Sequence, residues 1–177
     1  MLASIPPQQI AGASVLDIGG GVGAMQAELL GAGAAHGEVV ELVAAYEPYA
    51  RELARETGIE GRTTFRVADL LEDPAAATPA EVVVLNRVVC CSPDGVALTG
   101  VAARLAERSL VLSFPRDRPL VRFGLRAING LQWIMGRSFR VFCHRPASLF
   151  AAAEEEGLRL VERGHGQLWE YASLGRA

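Results

Sequence analysis

The sequence contains no lysine: all 17 of its basic residues are arginines. A phosphate-binding loop of the GK[ST] type is therefore excluded, and so is a lysine Schiff base. No apolar run is long enough to span a bilayer. The first ten residues, MLASIPPQQI, lack the basic start and apolar stretch of a secretory signal, which points to a cytoplasmic protein. Cysteine is scarce, with three residues. Neither a Cys-x-x-Cys nor a His-x-x-x-His spacing occurs, so no metal site is expected. Cys90 and Cys91 are adjacent, a placement that rarely bridges without backbone strain; with Cys143 they read as buried thiols. The net charge of −3 argues against a general nucleic-acid binder.

What is present is a chain of 177 residues, half of them hydrophobic, which suits one domain spanning 1–177 with a real core. Strand-like and helix-like stretches alternate. SVLDI (14–18), EVVEL (38–42), TTFRVAD (63–69), EVVVLN (81–86) and SLVLSF (109–114) read as strands. Helices are expected over 22–30, 45–57, 96–107, 119–136 and 147–156. In the second, Tyr46, Tyr49, Ala50 and Leu53 share a stripe, Glu47 and Arg51 make an i,i+4 pair, and Gly58 stops the helix. Two late strands, 158–162 and 167–174, flank the turn RGHG. Their short connection permits a hairpin but no parallel crossover, so one strand should be antiparallel. The expected class is α/β, a doubly wound, mostly parallel sheet with its last strand antiparallel.

In such a sheet ligands bind beyond the carboxyl ends of the strands. The turn after the first strand reads Asp17-Ile18-Gly19-Gly20-Gly21-Val22-Gly23. Its glycines also satisfy the dinucleotide fingerprint, which keeps an NAD(P)-dependent oxidoreductase open. Asp17 weighs against that reading. Two like charges about 5 Å apart at an effective dielectric near 20 repel by about 3 kcal/mol, so a carboxylate here disfavours a pyrophosphate. S-adenosylmethionine instead brings a cationic sulfonium and an α-ammonium, which the same carboxylate attracts. Glu41, 18 residues beyond Gly23, ends the second strand where ribose hydroxyls would be accepted, with Leu42 beside it. Asp69 ends the third strand and can accept from an adenine amino group, with Leu70 against the ring.

The stretch from Val15 to Asn86 resembles the cofactor half of class I S-adenosylmethionine-dependent methyltransferases. The glycine motif at Asp17–Gly23, the ribose acid Glu41, the adenine contact Asp69-Leu70 and the motif Val83-Val84-Leu85-Asn86 carry the likeness. It implies a Rossmann-like seven-stranded sheet, S-adenosylmethionine as cofactor, and Asn86 closest to the transferred methyl group. More distantly, EVVVLNRVVCCSPDG, LVLSFPRDR and FRVFCH are similar to magnesium-protoporphyrin O-methyltransferases. About a dozen residues precede the first strand, where such enzymes usually carry a covering segment. A non-catalytic S-adenosylmethionine-binding protein is the alternative this motivates.

The acceptor side is less determined. Methyl transfer needs alignment more than covalent help, because the cofactor carries the reactive group. Asn86 is not followed by Pro-Pro-Tyr, so the signature of amino-group methylation on bases or glutamine is missing, and Asn-Arg-Val-Val says little about the acceptor; oxygen is the acceptor atom expected. His144 is the candidate general base; a histidine that bonds backbone is the alternative. From Phe114 to Pro146 seven arginines face Asp117 alone. Arg122, Arg126 and Asn129 fall on one face of the 119–136 helix. A cap-like insertion at about 116–145 is expected, with Arg87, Arg122 and Arg126 as substrate contacts favouring a small, acidic and apolar molecule. A packed helix with a solvated basic face is the plainer reading. The Arg and Trp133 mixture also suits peripheral contact with anionic lipid.

Overall fold

A computed structural model of the chain describes residues 5–176; residues 1–4 and 177, the ends of the expected 1–177 span, lie outside the described residues. The elements are α1 (Pro7–Ile10), β1 (Ser14–Ile18), α2 (Ala24–Gly31), β2 (His36–Glu41), α3 (Glu47–Glu56), β3 (Thr63–Val67), β4 (Ala80–Asn86), α4 (Gly95–Leu105), β5 (Ala106–Pro115), α5 (Pro119–Ile134), α6 (Pro146–Glu155), β6 (Leu158–His165) and β7 (Trp169–Arg176). The strands form one seven-stranded sheet in the order β3-β2-β1-β4-β5-β7-β6. β7 runs antiparallel to both of its neighbours, and the β1–β2, β1–β4, β2–β3 and β4–β5 pairs are parallel. The doubly wound α/β sheet expected from the alternation is the one observed.

The core lies on both faces of the sheet, and β4 shows why its central residues, 82–85, are all apolar. Val83 and Leu85 face one side with Leu16, Leu110, Leu112 and Phe114, packed against Leu98 and Ala102 of α4 and Leu149 and Ala153 of α6. Val82 and Val84 face the other side with Val15 and Val111, packed against Leu29 and Leu30 of α2 and Ala54 of α3. Alternate side chains of a strand point to opposite faces, so a strand covered on both sides has no position left for water.

Because β1, β2, β3, β4 and β5 are parallel, their carboxyl ends share one edge. The strand order reverses between β1 and β4, which opens a crevice there. Ile18, Glu41, Val67, Asn86 and Pro115 are the last residues of these five strands.

Several local expectations change. Ala50 and Ala54 are the buried residues of α3, whereas Tyr46 and Tyr49 are 42% and 62% exposed. The helix packs its alanine face inward, and the tyrosines lie outside. The Glu47–Arg51 pair does form, at 2.6 Å, and Gly58 follows the helix with φ +69°. Leu42 is not part of β2; it lies just past the strand and is 64% exposed. The cysteines are not uniformly buried: Cys90 is, Cys143 is partly so, and Cys91 is exposed. His36 starts β2 and His165 ends β6, and both stay exposed.

Candidate functional site

The site begins with the turn between β1 and α2. Gly19 has φ +67°, and a side chain there would also overlap Val88. Glycine is required on both counts: the backbone is left-handed, and a neighbouring turn presses on it. Gly20 is excluded from bearing a side chain for a different reason, since a Cβ would stand 2.5 Å from Asp17 Oδ2. The glycine turn is thus folded directly over the Asp17 carboxylate.

Asp17 is completely buried, and neither of its carboxylate oxygens has a hydrogen-bond partner among the described residues. Its pKa is pushed from 3.8 up to about 7. Burial is the main cause, the nearby Glu41 charge the second, and the Gln26 backbone N–H opposes them weakly without reaching hydrogen-bond geometry. A buried carboxylate without a donor is costly, and it is an observation that points to a missing positive partner.

Glu41 holds the turn from the neighbouring strand. Its Oε2 accepts the Gly21 N–H at 2.9 Å, and its Oε1 accepts the Val43 N–H at 3.0 Å. Each carboxylate oxygen has a further lone pair, so Glu41 can tie the glycine turn and still receive hydroxyls. β3 stops at Val67, two residues short of the expected end, so Asp69 lies in the loop past it; its Oδ1 accepts the Leu71 N–H at 2.9 Å and so shapes its own turn, and Oδ2 takes no part in that bond. Leu70 corrects an expectation. Its side chain is 2% exposed and belongs to the core, so it does not present an apolar wall to a ring. The exposed Leu42, beyond Glu41, has that surface instead.

Asn86 ends β4 with its Oδ1 accepting from the Ser113 hydroxyl at 2.9 Å, and Ser113 in turn accepts the Arg87 N–H at 2.9 Å. This chain fixes the Asn86 amide and leaves its NH2 outside the pair. Arg87 has φ +58°, the one left-handed non-glycine among the described residues, and its guanidinium lies 4.9 Å from the Trp169 ring centre. A non-glycine in that region is strained and marks a constrained turn. Ser113 is buried and was not anticipated; a serine at the penultimate position of an apolar strand is the signal that could have found it.

His144 sits against the same region with its Nε2 3.0 Å from the Ser92 carbonyl oxygen. A carbonyl can only accept, so Nε2 donates and the neutral ring keeps its free lone pair on Nδ1. The ring packs so closely on Gly95 that a Cβ there would lie 2.6 Å from it. The backbone-bonded arrangement, the alternative left by the sequence, is the one present.

α5 has no buried residue. Arg122 Nε lies 2.5 Å from Asp117 Oδ1, which raises the arginine's pKa and neutralises the pair. Arg126 is exposed and has no ion pair among the described residues. Asn129 is not a free polar residue: its Nδ2 donates to the Val141 carbonyl at 2.8 Å, and its Oδ1 accepts the Val141 N–H at 2.9 Å. The two arginines and Asp117 line a shallow cavity of about 530 Å³ with Pro119 and Phe123. Another cavity, of about 440 Å³, lies between α2, α3 and β3 and is lined by none of the strand-end carboxylates. Val22 and Gly23 of the glycine turn border it. Among the described residues no three metal-ligating side chains come together.

No protein-family model and no curated protein matches the chain. Solved structures do. The magnesium protoporphyrin IX methyltransferase of Synechocystis PCC 6803, solved with bound SAH, is similar with a TM-score of 0.77 and 23% identity, over 95% of this chain and 76% of that one. An O-methyltransferase family protein from Burkholderia thailandensis gives a TM-score of 0.78 and 21% identity, over 96% of this chain but only 52% of its own. An S-adenosylmethionine-dependent methyltransferase from Mesorhizobium loti gives 0.74 and 15% identity, over 99% and 95%. The chain therefore has the Rossmann-like seven-stranded fold of S-adenosylmethionine-dependent methyltransferases.

The Asp17 carboxyl yields a stability prediction. Its folded pKa is raised above the unfolded value, so the folded state holds the proton more tightly and stability falls as pH rises from about 4 to about 7. Asp17→Asn removes this dependence. Thermal melts of the ligand-free protein should show the variant gaining on wild type across that window, by a few kcal/mol at pH 8. Parallel melting curves for the two proteins at all pH values would refute the buried charge.

Proposed function

We propose that the chain is an S-adenosylmethionine-dependent methyltransferase acting on a small molecule, with oxygen as acceptor. The observation that carries the reading is the buried, unpartnered Asp17 under a glycine turn. When bound, the cofactor supplies a methyl group on a cationic sulfur, already activated for transfer. The protein's own task is to hold and orient. Gly19, Gly20, Gly21 and Gly23 would bring the backbone close to the cofactor. Glu41 would accept ribose hydroxyls, Asp69 an adenine amino group, and Leu42 would cover the ring. Asn86, fixed by Ser113, would stand nearest the reacting carbon.

Asp17 also separates this reading from the NAD(P)-dependent one. A pyrophosphate over the turn would push its raised pKa higher, while a cation would pull it back toward the ordinary range. A cofactor-binding protein without catalysis fits the same cradle, and transfer of label to an acceptor separates the two. If a base is needed, His144 can act only through Nδ1. We place the protein in the cytoplasm; no described helix is long and apolar enough to cross a membrane.

The segment 116–145 acts in this proposal as a cap over the acceptor within one domain. Arg122 is already neutralised by Asp117, so Arg126, beside the exposed Phe123, is the cation left to meet an acidic, apolar molecule, with Arg87 across the site. The far half of α5 favours a second use. Leu131, Trp133, Ile134 and Met135 are all more than half exposed, with Arg137 and Arg140 following and no acidic residue between 118 and 153. That mixture fits an anionic lipid surface. Nucleic acid is not a partner in this reading.

Three measurements follow. Calorimetry at pH 7 in buffers of different ionisation enthalpy should record release of up to about half a proton per S-adenosylmethionine bound; NADH binding, or proton uptake, would sink the sulfonium reading. With an identified anionic acceptor, Arg126→Ala should lower kcat/KM by about tenfold or more and leave cofactor affinity unchanged; unaltered kcat/KM removes the cap from recognition. Vesicles rich in phosphatidylglycerol should retain the protein in sedimentation where phosphatidylcholine vesicles do not, and Trp133→Ala with Ile134→Ala should release it; no retention on either excludes the lipid contact.

A further inference from the structure

The turn that follows β4 carries two adjacent cysteines that the proposed methyl transfer does not use. Residues Val89–Cys91 form a single 3-10 turn. The Cys90 and Cys91 sulfurs are 3.9 Å apart. Both sulfurs lie near the same carbonyl oxygen, that of Arg87, at 3.3 and 3.5 Å. Cys91 is exposed and Cys90 is buried. The third cysteine, Cys143, points elsewhere, to the Arg116 carbonyl at 3.9 Å. We infer that Cys90 and Cys91 are a redox-active vicinal pair, closed to a disulfide by a hydroperoxide, and that closure moves the turn roofing the glycine loop.

The two sulfurs differ in the way such a step needs. Cys91 is reachable from solvent, and its pKa is lowered to about 7, chiefly by the hydrogen bond from the Cys90 thiol. The Cys90 thiol is raised, by that same bond first and by burial second. Cys91 is thus the thiolate that reacts and Cys90 the thiol that resolves. The Cys91 thiolate attacks one peroxide oxygen and the O–O bond breaks. The sulfur becomes a sulfenic acid, and the other oxygen leaves as the alcohol, or as water from hydrogen peroxide. The Cys90 sulfur then attacks the sulfenic sulfur. The S–S bond forms, and the hydroxide displaced leaves as water with the Cys90 proton. Two thiols and one hydroperoxide give one disulfide, one alcohol and one water; sulfur is oxidised and the peroxide reduced.

Closure is coupled to the site because the turn is tied on every side. The Cys91 N–H donates to the Val88 carbonyl at 2.7 Å, and the Phe142 N–H donates to the Cys90 carbonyl at 2.7 Å. Val88 itself fills the space above Gly19, and Arg87 already holds a left-handed backbone. Adjacent cysteines cannot bridge with the backbone of a regular turn unchanged. Bridging therefore acts at once on the contact over Gly19 and on the Phe142 anchor of the 116–145 segment.

The chemistry of the pair is independent of the methyltransferase reading; its effect on cofactor binding rests on that reading. The reduced full chain is treated with equimolar hydrogen peroxide. Intact mass of the monomer should fall by about 2 Da, reversibly with dithiothreitol, with the link mapped to Cys90–Cys91. Cys91→Ser should abolish the loss, and Cys143→Ser should not. Cys90→Ser should leave a dimedone-reactive sulfenic acid on Cys91. Amide exchange at Cys91 and Phe142 should quicken in the oxidised protein. A link through Cys143, or oxygen addition without mass loss, overturns the pair; unchanged exchange at both amides overturns the coupling. Titration with S-adenosylhomocysteine should show weaker binding after oxidation. Absent binding to the reduced protein would count against the function alone, since mass and exchange are read without it.

Discussion

A fully buried carboxylate with no hydrogen-bond donor among the described residues is the constraint around which this structure is arranged. Asp17 pairs in register with Val39 on one side and Val84 on the other, so its backbone is fixed in the centre of the sheet. Its side chain meets the underside of Gly20. The sheet could have placed valine there, as at neighbouring positions, and gained apolar burial of about 1.5–3 kcal/mol. It carries instead a group whose ionisation the interior opposes. Stability does not explain that residue. A ligand that brings positive charge to the turn does, because it converts an unfavourable charge into an attractive one.

Glu41 makes the same point from the next strand. Its two oxygens accept the backbone N–H groups of Gly21 and Val43, so one side chain ties the glycine turn to the exit from β2. The proximity of Glu41 also raises the Asp17 carboxyl. Two carboxylates brought together at adjacent strand ends repel each other, and a cation lying between the strands and the turn relieves both. In the proposed reading the cradle would therefore suit its ligand by electrostatics as well as by the absence of side chains on the glycines.

The legibility of the sequence follows the range of the forces involved. Strand alternation, the antiparallel β7 and the glycine turn were readable because period, connection length and left-handed backbone are local properties. Glu41 and Asn86 end β2 and β4 as the sequence suggests, whereas Asp17 lies one residue before the end of β1 and Asp69 two residues past β3, which stops at Val67. Side-chain direction past a strand end was not local. Leu70 turns inward because the loop bends after Asp69, and Leu42 stays outside because β2 stops one residue early. His144 was ambiguous because its partner, the Ser92 carbonyl, is 52 residues away. Asn129 looked like a solvent-facing companion to two arginines and instead clasps Val141. Only the tertiary path of the chain after α5 reveals that.

The turn after β4 joins these parts. Ser113 on β5 fixes both Asn86 and Arg87; Arg87 lies on Trp169 of β7; Val88 covers Gly19; and Cys90 anchors Phe142. His144 repeats the anchorage two residues later through Ser92. The cofactor cradle and the basic segment are thus not separate features on one scaffold. They share a short constrained turn, and its left-handed arginine is retained at an energetic cost. A strained residue persists where surrounding structure over-determines it, and here the Ser113 hydrogen bond and the Trp169 ring both hold Arg87. Val88, which meets Gly19, and Cys90, which holds Phe142, stand two residues apart on that turn, so the glycine cradle and the segment after α5 share one anchor.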